Sequence, residues 1–252
     1  MKKLILYSFS FVLGIAALCS CGSKNKEKVS GVEAYKKSLN DSIRACQTEI
    51  DSCNEQISIL RDKVGSWMHE FVTVTYPSGN GGYIILASAK NLYPMKSSGL
   101  IARVSTSGKF ELIAALAGKK FDRITVEATG QSASSSIIAS GGGAASPQGL
   151  VSAIFVGEKA AAIGKLIADN ELNPITVIYE KDGSEVQRID LSNEYAKVVS
   201  MTYLFYQDNY DMKILEKKVP LLNAKIDLIR QHLNKFIQRE NVRSSSDSTV
   251  NS

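Results

Sequence analysis

The sequence predicts an α+β protein in which long N- and C-terminal helices form an antiparallel coiled-coil stalk that flanks a β-rich head. Apolar residues recur at alternating steps of three and four from Ile43 to Trp67, within a polar stretch that begins at Val32, and again from Val198 to Phe236. This spacing is typical of the seam of a coiled coil. Between these stretches, apolar and polar residues alternate with the period of half-buried strands. Strands that recur about every ten residues favour a sandwich or small barrel over a parallel sheet.

The N-terminal segment has the pattern of a secretory signal peptide. Two lysines precede an apolar run from Leu4 to Leu18, which is short for a membrane-spanning helix. The run ends in Leu18-Cys19-Ser20-Cys21, which resembles the lipobox of bacterial lipoproteins. The resemblance implies cleavage before Cys21 and acylation of that cysteine with chains such as palmitate, which together anchor a protein stably to lipid. Asp directly after the cysteine would resemble an inner-membrane retention signal. Gly22 occupies this position instead, which favours the outer membrane.

One narrow apolar stripe predicts the N-terminal helix. Cys46 and Cys53 lie on this stripe, and seven helical residues separate them by about 10.5 Å along the axis. Cα atoms joined by a disulfide lie within about 7 Å of each other, so these two cysteines cannot bridge within the helix. Two interpretations remain open, namely buried thiols in the seam or a disulfide to the same cysteine of a second chain. The stripe comprises Ile43, Cys46, Ile50, Cys53, Ile57, Leu60, Val64 and Trp67.

Six to nine strands and one short helix are predicted in the head. An Asp182-Gly183 turn between two alternating stretches is typical of a β-hairpin. The alanine-rich segment 158–168 predicts the helix, despite Gly164 within it. The predicted strands lie near residues 72–76, 83–87, 100–105, 110–116, 124–128, 150–156, 175–179 and 185–191.

Ser, Gly and Ala dominate residues 129–149. Such a composition buries too little apolar surface to offset the entropy of ordering, so we predict a mobile loop. The Ile137-Ile138 pair inside it is also compatible with a short strand. A long loop within a compact domain is often functional, and here it could serve as a lid over a ligand site on the head.

The C-terminal helix is predicted to begin after Ser192, a residue type favoured at the helix N-cap. Pro220 inside the pattern predicts a kink or a brief break, because proline lacks a backbone donor. Asp208 is the polar occupant of a seam position. It either fixes the helix register or marks a loosening of the seam near the head, and the sequence favours the second interpretation.

These observations divide the chain into six segments. An antiparallel pair within one chain is the economical arrangement of the two helices, and a parallel homodimer is the alternative. In chain order the segments are a signal peptide (1–20), a lipidated tether (21–31), an N-terminal coiled-coil helix (32–68), a β-rich head (69–191), a C-terminal coiled-coil helix (192–240) and a disordered tail (241–252).

No residue pattern specifies an active site, a metal or a cofactor. The formal net charge is +5, of which two charges belong to the signal peptide, and this mild excess does not indicate nucleic acid binding. The two histidines, His69 and His232, lie on different predicted elements and do not suggest a metal site. Carboxylates on predicted strands cannot be paired from sequence, and they are Glu111, Asp122, Glu127 and Glu180.

We therefore expect a lipoprotein of the bacterial cell envelope, anchored by Cys21 and facing the periplasm, with a structural or interaction role rather than an enzymatic one. Its expected partners are membrane lipid, an envelope protein and, through the coiled coil, a second copy of the chain. A head that captures a small molecule or glycan is the alternative, with Tyr83, Tyr93 and Phe110 as candidate lining residues. A hydrolase with dispersed catalytic residues is the third possibility.

Overall fold

A computed structural model describes residues 26–138 and 149–249 and has the predicted α+β class. The described chain divides into two compact units. The first unit contains residues up to Ile50 together with those from Leu222 onwards, and the second unit spans Asp51–Leu221. The predicted signal peptide and residues 21–25 of the tether, including Cys21, lie outside the described residues, as do residues 139–148 of the predicted Ser/Gly loop.

The helices are longer than predicted. α1 spans Lys26–Trp67 and α3 spans Asn193–Thr249, with the short α2 at Glu158–Asp169 between them. α1 therefore starts six residues before Val32, within the predicted tether, where lysine and glutamate are good helix formers. α3 continues through Pro220 without a break, and on through much of the predicted tail, because no further proline or glycine interrupts it.

Nine described strands form two antiparallel sheets. One sheet has the order β1-β2-β3-β4-β7, and the other has the order β6-β5-β8-β9. A 3₁₀ helix at Ala87–Leu92 follows β2. The strands are β1 Phe71–Thr75, β2 Gly82–Leu86, β3 Gly99–Ser105, β4 Phe110–Ala117, β5 Arg123–Ala128, β6 Gln131–Ser134, β7 Leu150–Val156, β8 Ile175–Lys181 and β9 Ser184–Asp190.

The local sequence patterns explain most of these strands. The β8–β9 hairpin turns at Asp182 and Gly183, both of which have the positive φ that a two-residue hairpin turn requires. The prediction of a loop over 129–149 is wrong for β6, which pairs antiparallel with β5 inside that range. Serine-rich β6 has few apolar side chains to signal a strand, and its backbone bonds to β5 stabilise it instead.

Both sheets contribute to one core in the second unit. Alternate residues of β4, β5, β7 and β8 point inward and are almost fully buried, as the period of two requires. The Tyr179 hydroxyl of β8 shares its proton between the carbonyl oxygens of Gly99 and Ala115, at 2.8 and 3.0 Å. This buried contact connects the smaller sheet to two strands of the larger one.

α2 packs against this core at Gly164. A Cβ added there would lie 2.8 Å from the Phe110 ring and 2.9 Å from that of Tyr203. The glycine that weakened the helix prediction is therefore the residue that permits close packing of α2. A second apolar cluster lies where α3 crosses the larger sheet, and it includes the stacked rings of Phe71 and Phe205.

Candidate functional site

Asp208 of α3 joins α3 to α1 in the second unit. One carboxylate oxygen accepts a 2.9 Å hydrogen bond from Lys63 Nζ, and the other accepts a 2.9 Å bond from Trp67 Nε1. Asp208 is 7% exposed, and a carboxylate so buried requires donors of this kind. Both donors come from α1, one turn apart. The burial of Asp208 between two helices favours the interpretation that it helps to fix the register over that of a loosened seam.

An ion pair identifies one edge of the helix pair in the second unit. Arg61 of α1 lies 3.3 Å from Glu216 of α3, and both side chains are exposed. Its contribution to stability is small for that reason. The pair also shows the direction of the helices. Lys63 and Trp67 of α1 contact residue 208 of α3, whereas the earlier residue 61 contacts the later residue 216, so the two segments run antiparallel.

A second apolar stripe lies outside the seam of α3. Tyr210, Ile214 and Leu221 are 49%, 43% and 71% exposed, and their spacing of four and seven residues places them on one face of the helix. Ile59 of α1 is 60% exposed. We call these four residues the outer face. Sequence reasoning missed them because it assigned heptad positions only to the seam, although the spacing was visible.

In the first unit, Tyr35 of α1 makes the contact with α3. Its ring meets that of Phe236 edge-on with centroids 4.9 Å apart, and its hydroxyl lies 2.8 Å from His232 Nε2. Four seam residues are buried in this unit. They are Cys46, Ile50, Leu222 and Ile226.

Both described cysteines are free thiols and both are buried. Cys46 in the first unit is 4% exposed, and Cys53 in the second unit is 3% exposed. Burial within a single chain supports the interpretation as small apolar residues of the seam. A disulfide to a second chain stays a prediction, and it would require both buried thiols to become exposed.

A polar cleft of about 320 Å³ lies beside the start of α3 in the second unit. Hydroxyls of Ser97 and Tyr195 line it, 2.7 Å apart, together with the carboxylates of Asp190 and Glu194. Tyr195 lies directly on Gly99, where an added Cβ would come within 2.4 Å of its ring. The glycine therefore holds the aromatic wall of the cleft close to β3.

The aromatic residues predicted to line a ligand pocket do not converge. Phe110 is buried in the core against Tyr203 and Tyr206. Tyr83 stacks on Tyr93 elsewhere, with the Arg103 guanidinium 4.3 Å above the Tyr83 ring. Burial raises the pKa of Tyr93, whose hydroxyl donates to the carbonyl of Ala102.

Each predicted strand carboxylate has a cationic partner. Asp122 is the most buried of them, and it accepts hydrogen bonds from Lys181 Nζ and from the backbone N–H of Asp182. The bond from Lys181 holds the pKa of Asp122 below its ordinary value. The other pairs are Glu111 with Arg103, Glu127 with Arg188 and Glu180 with Arg123. These carboxylates act as structural anions in the sheets.

The described residues supply no group of three or more histidine, cysteine or acidic side chains placed to hold a metal ion. His69 is exposed, and His232 bonds to Tyr35. Within the same described part of the chain, no helix combines the length and apolar character needed to span a bilayer.

Comparison with models of protein families, with curated proteins and with solved structures gives no match.

Proposed function

We propose that the chain is a membrane-anchored envelope lipoprotein with a structural or interaction role. In this proposal α1 and α3 pair within one chain as an antiparallel coiled-coil stalk, and the β-rich region is presented to a protein partner. The observation that carries the proposal is the bonding of Asp208 to Lys63 and Trp67. A buried polar contact that specifies register is a recognised device of coiled coils.

The antiparallel pairing within one chain has independent support from each unit. The second unit contributes the Arg61–Glu216 pair, and the first contributes Tyr35 with His232 and Phe236. A parallel homodimer would pair each helix with its own copy and would leave these side chains with different neighbours. The proposal includes no catalytic step.

Membrane anchoring rests on the lipobox-like tetrapeptide that ends in Cys21. Replacing Cys21 with Ala should abolish labelling by an alkyne analogue of palmitate and should release the chain from the membrane fraction. Cys19→Ala is the matched control, because it removes the neighbouring thiol and leaves the acceptor cysteine. A Cys21→Ala protein that stays labelled and membrane-bound would contradict the proposal.

Interaction with an envelope protein can be tested by placing a photo-crosslinking amino acid in the whole chain in cells. Suitable positions on the β-rich region are Ile154 and Leu172, which are 48% and 97% exposed, and Ile214 serves on α3. We expect at least one position to give a reproducible protein adduct. The absence of an adduct at all three positions would contradict an interaction role.

The polar cleft beside Tyr195 supports a second candidate, the capture of a small polar ligand such as a sugar. Hydroxyls, carboxylates and one aromatic face are groups that bind sugars, and the cleft supplies all three. Titration of the chain with mono- and disaccharides, followed by NMR, tests this function. Shifts that cluster at Ser97 and Tyr195 and vanish in Tyr195→Ala would support it, and unshifted spectra would exclude these sugars as ligands.

A further inference from the structure

The outer face is positioned away from the edge that Arg61 and Glu216 occupy. Ile59 lies two residues before Arg61, and Ile214 lies two residues before Glu216. Two residues correspond to roughly 200° around a helix, so each isoleucine points away from the ion pair. The seam occupies the adjoining side of each helix. Because the segments are antiparallel, both residues therefore emerge on the same side of the pair, and the four exposed residues form one surface.

Charges of opposite sign border this surface on the two helices. Glu55 and Asp62 of α1 lie four residues before and three after Ile59, so they share its side of the helix. Lys63, four residues after Ile59, lies on that side too, but its charge is paired with Asp208 of the same chain. Lys217 of α3 lies three residues after Ile214 and is likewise exposed. Asp211 also borders the surface at its end near Asp208, and partial desolvation, followed by the charge of Asp208, raises the pKa of its carboxyl.

The charges lie at matching heights along the pair. Trp67 of α1 and Asp208 of α3 are in contact and so lie at the same height. Because the segments are antiparallel, Lys217, nine residues after Asp208, lies level with position 58, nine residues before Trp67. Position 58 lies between Glu55 and Asp62. A two-fold axis parallel to the helices would set α1 of one copy over α3 of the other. The partner subunit's Lys217 would then lie between Glu55 and Asp62, and the apolar residues would meet in the centre.

The other two-fold arrangement is unfavourable. With the axis perpendicular to the helices, α1 would face α1, and Glu55 and Asp62 would meet the same carboxylates of the second copy. Like charges that face each other across an interface oppose association. The charge pattern therefore favours the two-fold axis parallel to the helices. Across such an axis every contact between the two copies occurs twice.

We propose that the outer face, Ile59, Tyr210, Ile214 and Leu221, docks a second copy of this chain through a two-fold axis parallel to the helices. The inference rests on the proposed interaction function and names its partner. The dimer is non-covalent, because Cys46 and Cys53 are buried in the seams of their own chain. The surface is small, so we expect a dissociation constant of about micromolar magnitude.

Sedimentation velocity of the whole mature chain, unlipidated as Cys21→Ser and kept reduced, tests the proposal. Between about 1 and about 100 µM the mass should change from that of one chain to that of two. The double variant Ile214→Ser, Leu221→Ser should weaken the dimer at least about tenfold. Leu172→Ser is the control, since it removes a leucine that is even more exposed, at 97%, and lies off the surface. A monomer at every concentration, or equal weakening by the control, would overturn the proposal.

Charge exchange tests the orientation separately. Lys217→Glu should weaken the dimer, and adding Glu55→Lys and Asp62→Lys to the same chain should restore it, because the pairs re-form with reversed sign. Unchanged melting temperatures of the monomers would show that the variants fold. A triple variant that associates no better than Lys217→Glu would overturn the orientation and the proposal with it.

Crosslinking in cells separates this inference from the proposed function. An adduct at Ile214 that contains two copies of the chain supports both. An adduct at Ile214 with a different protein, combined with a monomer in sedimentation, overturns the dimer and leaves the interaction role standing. No adduct at any position, together with a monomer, contradicts both.

Discussion

Within the second unit, the β-rich region buries most of its large apolar side chains, although Ile154 and Leu172 are exposed, whereas α3 beyond Asp208 leaves three large apolar side chains exposed along one face. Leu112, Ile124 and Val177 are completely buried, while Leu221 is 71% exposed. An apolar stripe that is regularly spaced and open to water is typical of a surface that meets another protein. The difference agrees with the proposal that the helices contribute contacts to a partner as well as support.

The largest expected effect separates these two regions by stability. Leu112→Ala removes a completely buried side chain from the centre of β4 and should lower the free energy of unfolding by about 3–5 kcal/mol. Ile214→Ala removes an exposed side chain and should change it by less than about 0.5 kcal/mol in the monomer. Urea unfolding of dilute protein measures both. Similar losses for the two variants would show that the outer face is part of the core.

The next effect concerns the polar contact between the helices. Asp208→Leu leaves Trp67 Nε1 and Lys63 Nζ without their acceptor and should cost about 2–3 kcal/mol. Glu216→Ala removes the exposed ion pair of the same helices and should cost at most about 0.5 kcal/mol. Urea unfolding of both variants makes the comparison. If Asp208→Leu were as mild as Glu216→Ala, Asp208 would not fix the register.

A smaller effect is expected where the two sheets meet. Tyr179→Phe removes the hydroxyl that bonds to Gly99 and Ala115 and keeps the ring, so we expect a loss of about 1–2 kcal/mol. Thermal unfolding followed by circular dichroism measures it. Tyr210→Phe is the control, because the Tyr210 side chain is half exposed and its hydroxyl can bond to water. Equal losses from both variants would contradict a special role for Tyr179.

Local patterns in the sequence were sufficient for most of the fold. Alternation located the strands of both sheets, and Asp182-Gly183 identified the last hairpin. β6 was missed because its pairing with β5, rather than its own side chains, makes it a strand. The role of Asp208 was misjudged because its donors lie about 140 residues earlier in the chain. Sequence spacing cannot show such a contact, which depends on how the two helices pair.

The same limit applies to the candidate surface. The spacing of Tyr210, Ile214 and Leu221 is present in the sequence, but exposure distinguishes these residues from the seam beside them. Ile59 joins them only through the register that Asp208 and Arg61 define. A site composed of two helices far apart in sequence requires their register before it can be recognised.

The smallest expected effect tests whether Asp122 stabilises the β-rich region as an anion. The pKa of Asp122 is lower in the folded chain than its ordinary value, first because of the hydrogen bond from Lys181 and then because of that from the Asp182 N–H. Its contribution to stability is therefore complete above the ordinary pKa and is lost as the pH falls through the folded pKa.

Asp122→Asn should accordingly lower the free energy of unfolding by about 1 kcal/mol at neutral pH, and the difference from the unchanged chain should shrink as the pH is lowered below about 4. Asp169→Asn serves as the control, because Asp169 pairs with Lys165 on the exposed side of α2. Urea unfolding of the unchanged chain and of both variants, at pH 7 and at pH 3, measures the free energies needed. A loss for Asp122→Asn that is equal at both pH values would mean that the carboxylate charge is not what stabilises this end of β8, and that the shape of the Asp182 turn alone maintains it.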